Sequence, residues 1–388
     1  MNNNHFALAR YLRDEGFNCD LLLLKDELPH FHPKCDTYDL DYQSWVKQLT
    51  WGSERQLLTV SPKLISADID CYDVLIGCGL SPAFLYKARR ALDIMIPYGS
   101  DIWEATQYRI SSPHYLPRHL SSVFFQRKGL KHVKCFNLSN SESLYGLRCK
   151  KFAPRASIWE FGIPMVYHRQ YSNPEELKNT HWLDEFKKIR QTSDLLVMAH
   201  GRHVWGGSGN MNAKGNKVLI DGWSLFCQRN PSIKKTLVFI EYGPDVIASK
   251  KYIANLGLES TVSWLPLMYR KDLMAGLSMA DIVAAEFIQS WICGGIIYEA
   301  LVMGKPLIMH SDEHKNPAKS ANLYPIYNAR TPEAIAGHLQ QFVVNPDSGR
   351  NNGIAGHTWY LNNVVNKAIS MYANYLINRA SELGKIAR

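Results

Sequence analysis

Two adjacent glycines stand one helical turn ahead of an acid in WICGGIIYEALVMGKPLI, residues 291–308. The apolar spacing after them is that of a helix, Gly304 is a typical C-terminal stop, and the apolar run beyond it predicts a buried strand. Because Gly294 and Gly295 would begin this helix without side chains, a phosphate or an electron-rich oxygen can approach the free N–H groups. The carboxylate of Glu299 would face the same space, where it can accept hydrogen bonds from a vicinal diol such as that of ribose. A capped core helix with an acid near its positive end is the alternative interpretation.

A second pattern brings two cations toward one helix start. In HGRHVWGGSGNMNAKGNKVLIDGW, residues 200–223, a predicted strand ends at Gly201 and Arg202, and Lys214 precedes the next predicted helix. An arginine at the carboxyl end of a strand and a lysine at the start of the following helix can both reach one anion. For a diphosphate leaving group, these two cations would supply the charge stabilisation that the transition state needs.

The elements that must position these residues follow an α/β pattern. Short apolar segments alternate with amphipathic segments throughout the chain, which predicts parallel sheets covered by helices on both faces. Two such series in succession predict two lobes with a ligand-binding cleft between them. The polar stretch 167–182 is the expected linker, and a long helix from about Trp359 to Ile377, with no strand after it, must pack back over the rest of the chain.

The beginning of the chain departs from this pattern. It opens on a predicted helix capped by the Asn2–Asn4 run, and the first predicted strand is CDLLLL, residues 19–24. Doubly wound domains normally begin with a strand. We therefore expect the first sheet to lack one strand beside CDLLLL, because translation starts upstream of Met1.

Several motifs in the second half occur in a characteristic order: Gly-Arg, Lys-Gly, EYGPD, VSWLPLMYRKDLMAGLSMADI and GGIIYEALVMGKPLI. Over about residues 194–310 this order resembles the donor half of retaining glycosyltransferases of the GT-B fold, family-4 type (group 1). The tail GHTWYLNNVVNKAISMYANYL resembles that family's final helix, which crosses back to the first lobe, whereas the N-terminal half matches loosely. The resemblance implies an acceptor-side Rossmann-like domain at 1–170 and a nucleotide-sugar-binding Rossmann-like domain at 171–388, with a returning helix within 355–385.

The resemblance also implies roles for individual residues. Arg202 and Lys214 would hold the donor diphosphate, and Glu299, the second acid of the family's E-x7-E pair, would bind the nucleotide ribose. Leu265 and Pro266 would line the base pocket. The glycines that would complete the donor site are Gly201, Gly243, Gly294 and Gly295.

Two positions depart from the family pattern. The first acid of the pair, which contacts donor-sugar hydroxyls, would fall at Trp291, so that a stacking ring replaces a hydrogen bond or Glu286 or Gln289 reaches in. Many members have a histidine before Gly-Ser-Asp in the first lobe, where this chain has Tyr98, followed by Gly-Ser and Asp101. We expect a direct catalytic role for Tyr98 or Asp101; a strand-end tyrosine with a satisfied hydroxyl is the alternative.

Charge is distributed unevenly. The net charge is +9, and no acid lies between Glu104 and Glu142. The segment 109–155 is rich in Arg and Lys interleaved with aromatic residues, which favours contact with an anionic membrane surface, a solvated basic face being the alternative. No nucleic-acid-binding signature accompanies it, so nucleic acid is not an expected partner.

Composition and motifs together give the expected class of protein. Eight scattered cysteines without a C-x-x-C pair, and a start without a secretory signal, favour a cytoplasmic protein. The basic segment 109–155 adds the expectation that it is peripheral on the inner face of the plasma membrane. The resemblance implies a retaining glycosyltransferase of the hexosyltransferase type, which uses a nucleotide-sugar donor and a glycan or lipid-linked acceptor in surface polysaccharide or lipopolysaccharide assembly. Within the donor half, residues 194–310, there is no Asp-x-Asp motif, so neither a metal nor another cofactor is expected. The alternatives are a non-catalytic GT-B glycan-binding or scaffold protein and a sugar-nucleotide epimerase on the same fold.

Overall fold

The computed structural model describes residues 3–24, 31–108, 116–138, 141–205, 213–312, 314 and 322–384. Within these ranges every strand pairing is parallel, and the strands form a pair and two larger sheets. No helix in the same ranges is both long and apolar enough to span a membrane.

The first lobe contains a two-stranded and a four-stranded sheet. Its elements are α1 (Asn4–Asp14), β1 (Leu21–Leu23), β2 (Val46–Gln48), α2 (Pro62–Ile69), β3 (Ile76–Gly77), α3 (Ser81–Lys87), β4 (Ile94–Met95), α4 (Ser100–Trp103), α5 (Leu116–Leu130), β5 (Cys135–Asn137), α6 (Leu144–Phe152), β6 (Ser157–Trp159) and α7 (His168–Tyr171). The four-stranded sheet has the order β3-β4-β5-β6, and β1 pairs with β2. Helix α1 buries Leu8, Tyr11 and Leu12 in the main apolar core.

The second lobe is built on one six-stranded sheet. Its elements are α8 (Leu183–Gln191), β7 (Leu195–Ala199), α9 (Asn216–Arg229), β8 (Lys235–Glu241), α10 (Val246–Asn255), β9 (Val262–Pro266), α11 (Arg270–Met279), β10 (Ile282–Ala284), α12 (Gly295–Val302), β11 (Leu307–Met309), β12 (Tyr327–Asn328) and α13 (Pro332–Val344). The strand order is β12-β11-β10-β7-β8-β9. Read from β9, this is the 3-2-1-4-5-6 order of a Rossmann fold, with β7 as the central first strand.

The chain ends in helices that return to the first lobe. They are α14 (Pro346–Tyr360), a π-helical stretch (Leu361–Asn366) and α15 (Lys367–Glu382). The Asn137 side chain at the end of β5 donates a 2.9 Å hydrogen bond to the Tyr372 hydroxyl, and the Trp159 ring packs edge-on against Tyr372 and Tyr375. The C-terminal helix therefore crosses back onto the first-lobe sheet, as the resemblance implies.

The structure corrects the sequence predictions in three places. Asn3 precedes α1, but its side chain makes no capping hydrogen bond and its φ is +56°, so the predicted cap is wrong as far as Asn3 and Asn4 are concerned; Asn2 lies outside the described residues. The single tail helix predicted from Trp359 is interrupted by the π-helical stretch. Strands β2, β6 and β12 were not predicted, because each is only two or three residues long and carries polar side chains.

Candidate functional site

Several loops meet at the carboxyl edge of the second-lobe sheet. Because its strands are parallel, the residues that follow β7, β8 and β10 lie along one edge. A Cβ added to Gly201, after β7, would lie 3.1 Å from the Ile296 side chain at the start of α12. One added to Gly243, after β8, would lie 2.5 Å from the carbonyl oxygen of His203. Glycine at these positions therefore lets the loops pack closely enough to form one surface.

Glu299 is the most strongly paired group at this edge. It is only 6% exposed, its Oε1 accepts a 2.7 Å hydrogen bond from Arg270 Nε, and its Oε2 lies 2.9 Å from His200 Nε2. Burial alone would raise the pKa of Glu299, but Arg270 and His200 more than offset this and lower the pKa to about 2. Since the ionised carboxylate can only accept, His200 Nε2 carries the donated proton. A carboxylate offers about four lone-pair sites, so these two bonds leave acceptor capacity for a diol.

Arg270 joins the two lobes. It is the first residue of α11 in the second lobe, and its Nη1 lies 3.3 Å from Asp36 Oδ2 and 3.1 Å from the Met165 carbonyl oxygen, both of the first lobe. Asp36 is 1% exposed and also accepts a 3.0 Å hydrogen bond from the Tyr171 hydroxyl. A buried charged chain thus runs from the first lobe through Arg270 to Glu299.

The two predicted phosphate-binding cations act on one carboxylate. Lys214 Nζ lies 3.1 Å from Glu286 Oε2, in the loop after β10. Burial raises the pKa of Glu286, while Lys214 and Arg202 partly oppose the rise. Arg202 itself is exposed. The structure therefore pairs Lys214 with Glu286, beside the loop that leads to α12, and leaves Arg202 near enough to lower the pKa of the same carboxyl.

The start of α12 is bare, as the sequence predicts. Gly294 precedes the helix with extended backbone angles, and a Cβ built on it would meet no atom within 4 Å. A Cβ on Gly295 would lie 3.7 Å from Glu299 Oε1. The predicted stop at Gly304 is also present, with φ +61°. Open space at the helix N-terminus thus lies next to the paired carboxylate.

The other predicted donor-side residues differ in accessibility. Leu265 and Pro266 are the last two residues of β9, and the Leu265 side chain is buried in the apolar core, whereas Pro266 is exposed. Trp291 is 45% exposed, which leaves its ring accessible for stacking. The predicted base pocket can therefore use Pro266 and Trp291 as side-chain surfaces more readily than Leu265.

In the first lobe, Asp101 holds a loop together. Its carboxylate accepts hydrogen bonds from the backbone N–H groups of Gly79, Tyr98 and Gly99 at 3.0–3.3 Å, and from the Tyr145 hydroxyl at 3.3 Å. Burial raises the pKa of Asp101 to about 6, against these hydrogen bonds. Tyr98 is 50% exposed, and both residues line a cavity of about 370 Å³ at the carboxyl ends of β3 and β4. This geometry favours a positioning role for Asp101, and Tyr98 is the more exposed of the two side chains.

The basic segment is partly used inside the lobe. Residues 109–115, including Arg109, lie outside the described residues, as do 139 and 140. The described basic residues with internal partners include Arg127, Lys134, Arg148 and Lys150. On α5, however, Leu120 and Phe124 are exposed, and Lys128 lies over the Phe124 ring at 5.5 Å. Part of the segment is therefore structural, and the outer face of α5 keeps an apolar and cationic character.

This chain has the GT-B fold, with two Rossmann-like domains and a C-terminal helix that crosses between them. Neither a protein-family model nor a curated protein sequence matches it. Among solved structures it is similar to a sucrose-phosphate synthase from Thermosynechococcus elongatus, at 13% identity and a TM-score of 0.59, covering 97% of this chain and 92% of that one. It is also similar to Anabaena Alr3699/HepE in complex with UDP and glucose, at 14% identity and a TM-score of 0.59, covering 96% and 95%. A third similar structure is S. aureus MnaA with UDP, at 9% identity and a TM-score of 0.58, covering 100% and 95%.

Sequence reasoning missed three residues of the Glu299 network: His200, Arg270 and Asp36. His200 stands directly before the predicted Gly201 and could have been found as a strand-end histidine. Arg270 and Asp36 are 234 residues apart, and no local pattern connects them. The structure alone reveals that the predicted ribose-binding acid is tied to the first lobe.

Proposed function

We propose that the protein is a retaining glycosyltransferase that moves a hexosyl group from a nucleotide-sugar donor to a glycan or lipid-linked glycan acceptor. The observation that carries this proposal is the arrangement at the carboxyl edge of the second-lobe sheet. There two cations, an ionised acid and a bare helix N-terminus lie together on a GT-B fold. Similar structures contain UDP or UDP-glucose, which makes uridine nucleotides the first donors to test.

Each charged group has a role in this proposal. Glu299 accepts hydrogen bonds from the ribose diol with the acceptor capacity that Arg270 and His200 leave. Arg202 and Lys214 bind the diphosphate, one as a bidentate fork and the other as a point charge. Glu286, released from Lys214 when the diphosphate binds, accepts a hydrogen bond from a sugar hydroxyl. It thereby replaces the acid that the family has at the position of Trp291, whose ring cannot accept this hydrogen bond.

The proposed chemistry needs no separate general base. The acceptor hydroxyl attacks the anomeric carbon on the face from which the nucleotide diphosphate leaves. The bond from that carbon to the phosphate oxygen breaks, a bond to the acceptor oxygen forms, and the acceptor proton passes to the departing phosphate oxygen. Arg202 and Lys214 stabilise the charge that develops there, which a divalent metal does in other transferases.

The acceptor side is proposed to meet a membrane. The exposed Leu120 and Phe124 of α5, with Lys128 one turn further on, support docking at an anionic lipid surface. A cytoplasmic protein at the inner face of the plasma membrane would there reach lipid-linked glycans during surface polysaccharide or lipopolysaccharide assembly. Tyr98, beside the first-lobe cavity, would contact the acceptor.

The test begins with donor binding. A panel of nucleotide sugars is screened for thermal stabilisation, because a true donor at 100-fold its dissociation constant adds about 2.7 kcal/mol to the free energy of unfolding. The selected donor is then incubated with glycolipid acceptors in EDTA, and NMR reads the anomeric configuration of the product. Arg202→Ala should lower turnover by about 10²–10³. Arg229→Ala, at an exposed arginine of α9, should leave turnover unchanged.

The outcomes separate this proposal from its rivals. Transfer with retention supports it, and an Arg202→Ala variant as active as Arg229→Ala removes Arg202 from the mechanism. Conversion of the donor without any acceptor would instead identify an epimerase. Donor binding without turnover on any glycolipid would identify a glycan-binding or scaffold protein.

A further inference from the structure

The first-lobe cavity is lined by acids and hydroxyl groups. It has a volume of about 370 Å³ and lies where β3 and β4 end, at the edge of a parallel sheet where ligands usually bind. Its wall carries two carboxylates and three hydroxyl groups, those of Glu54, Glu104, Tyr98, Ser100 and Ser122. Among the described residues that line it, none is a lysine or an arginine. The cavity is therefore acidic, although the net charge of the protein is +9.

The backbone N–H groups that could bind an anion at this edge are already engaged. Those of Gly79, Tyr98 and Gly99 all donate to the Asp101 carboxylate, at 3.0–3.3 Å. Asp101 is only 1% exposed, so it compensates these donors from inside the lobe. Successive backbone N–H groups commonly form anion-binding sites in proteins. A phosphate or a carboxylate that entered the cavity would find these three donors occupied.

The two wall carboxylates keep their capacity to accept hydrogen bonds. Glu54 and Glu104 are exposed, and neither forms an ion pair with another described residue. His119 also lines the cavity, but its Nε2 donates to the Gln107 carbonyl at 3.0 Å, since a carbonyl can only accept. Behind the wall, Gln126 Oε1 is buried without a hydrogen-bond partner among the described residues. Acceptors therefore outnumber donors at this site.

Helix α5 separates this cavity from an exposed apolar and cationic surface. Ser122 and Val123 line the cavity, whereas Leu120 and Phe124 are exposed. Lys128 lies over the Phe124 ring at 5.5 Å, and so it belongs to the exposed face and not to the described wall of the cavity. A ligand that carries both a phosphate and a sugar would thus find its cation and its hydroxyl-binding groups in two different places.

We propose, resting on the transferase function proposed above, that this cavity binds the acceptor sugar and selects a sugar without an anionic group. The sugar is a neutral hexose or an amino sugar, whose hydroxyl or ammonium groups donate to Glu54 and Glu104. A uronic acid or a phosphosugar is rejected, because the described wall gives it two like charges and neither lysine nor arginine. In a lipid-linked acceptor, the phosphate lies outside the cavity, beside the exposed face of α5.

Binding of simple glycosides to the full chain tests this selectivity without any donor. The methyl glycosides of glucose, galactose and mannose are each compared with the corresponding methyl uronide and with the 2-amino-2-deoxy glycoside. Saturation-transfer NMR titrations at pH 7 give the dissociation constants. The double variant Glu54→Gln with Glu104→Gln removes both charges and keeps the side-chain shapes. Glu15→Gln, at an exposed acid that ends α1, is the matched control, and Tyr98→Ala locates binding at the cavity.

At least one neutral or amino glycoside should bind to the unchanged protein. Its uronide should bind about ten- to hundredfold more weakly, because both wall carboxylates repel it. In the Glu54→Gln, Glu104→Gln variant this difference should shrink to about threefold or less, since the repelling charges are gone. Glu15→Gln should behave like the unchanged protein, and Tyr98→Ala should weaken the binding of every glycoside that binds.

Three results would overturn the proposal. They are a uronide that binds as tightly as its neutral parent, a difference that persists in the double variant when circular dichroism shows it folded, and no binding of any glycoside to the folded protein. If the protein still binds a nucleotide sugar in these cases, the transferase proposal stands and only the inference about the acceptor fails. Charge-selective glycoside binding by a protein that binds no nucleotide sugar would do the reverse.

Discussion

Replacing Arg270 with alanine should destabilise the protein strongly, because two buried carboxylates lose the same cation. Arg270 bonds Glu299 at 2.7 Å and Asp36 at 3.3 Å. The exposed fractions of the three side chains are only 11% for Arg270, 8% for Glu299 and 2% for Asp36. Removing one partner from a buried ion pair costs about 3–5 kcal/mol. We expect Arg270→Ala to lower the free energy of unfolding by about that amount, measured by urea titration near neutral pH.

A double-mutant cycle tests the cause. Arg270 is the largest charge that lowers the pKa of Glu299 against burial, so Arg270→Ala combined with Glu299→Gln removes one of the two stranded charges. The double variant should regain part of the loss, with a coupling energy of about 0.5–3 kcal/mol. Arg350→Ala is the matched control, since its ion pair with Asp347 is exposed and worth about 0–1 kcal/mol.

Two results would refute this reasoning. If Arg270→Ala costs no more than Arg350→Ala, the buried chain does not stabilise the lobes. If the double variant is as unstable as the sum of the two single variants, Glu299 is not the group that Arg270 compensates. Because the titration reads unfolding alone, both conclusions hold whatever the donor proves to be.

Three further predictions concern the site, the surface and pH. Glu286→Gln should keep its affinity for a nucleotide diphosphate, measured by calorimetry, while the rate of sugar transfer falls about 10- to 100-fold through loss of one charged hydrogen bond. Equal losses of affinity and of transfer rate would contradict a contact between Glu286 and the sugar. Leu120→Glu with Phe124→Glu should abolish sedimentation with anionic vesicles, whereas the control Ile247→Glu, also at an exposed apolar residue, should sediment as before. Burial lowers the pKa of His203 from 6.5 to about 4. Its contribution to stability is therefore complete above pH 6.5 and decreases by up to about 3 kcal/mol toward pH 4, because the unfolded chain takes up a proton that the folded chain does not. In urea titrations, the free energy of unfolding of His203→Gln should decline less steeply than that of the unchanged protein between pH 6.5 and about pH 4.

The sequence was most informative where chemistry is local. The bare start of α12, the stop at Gly304 and the placing of Lys214 just before α9 depend on residues a few positions apart, and the structure has each of them. The second-lobe strands β7 to β11 were predictable for a related reason, since each is an apolar run with Gly, Pro or Asp near one of its ends. The short strands β2, β6 and β12 were not predicted, because strands of two or three residues leave no periodicity to detect.

What the sequence could not provide is the pairing between distant charges. An acid on a helix predicts a carboxylate in a cleft, but whether that carboxylate is neutralised depends on which cations the folded chain brings to it. Here Arg270 and His200 reach Glu299, and Lys214 reaches Glu286. These contacts span 29 to 99 residues, so only the assembled sheet edge determines them.

The buried ion pairs of Arg270 with Asp36 and Glu299 are expected to couple the contact between the lobes to donor binding. Glu299 is held by a guanidinium that simultaneously contacts Asp36 and the Met165 carbonyl in the first lobe. A ribose that shares the Glu299 carboxylate draws on the same negative charge that keeps Arg270 in place. If Glu299 binds the ribose as proposed, a rotation of the first lobe that moves Asp36 would alter the charge balance at Glu299, and by linkage donor binding would change the free energy of the Arg270–Asp36 contact by the same amount. The acid proposed to bind the ribose is thereby connected to the first lobe through a single side chain, that of Arg270.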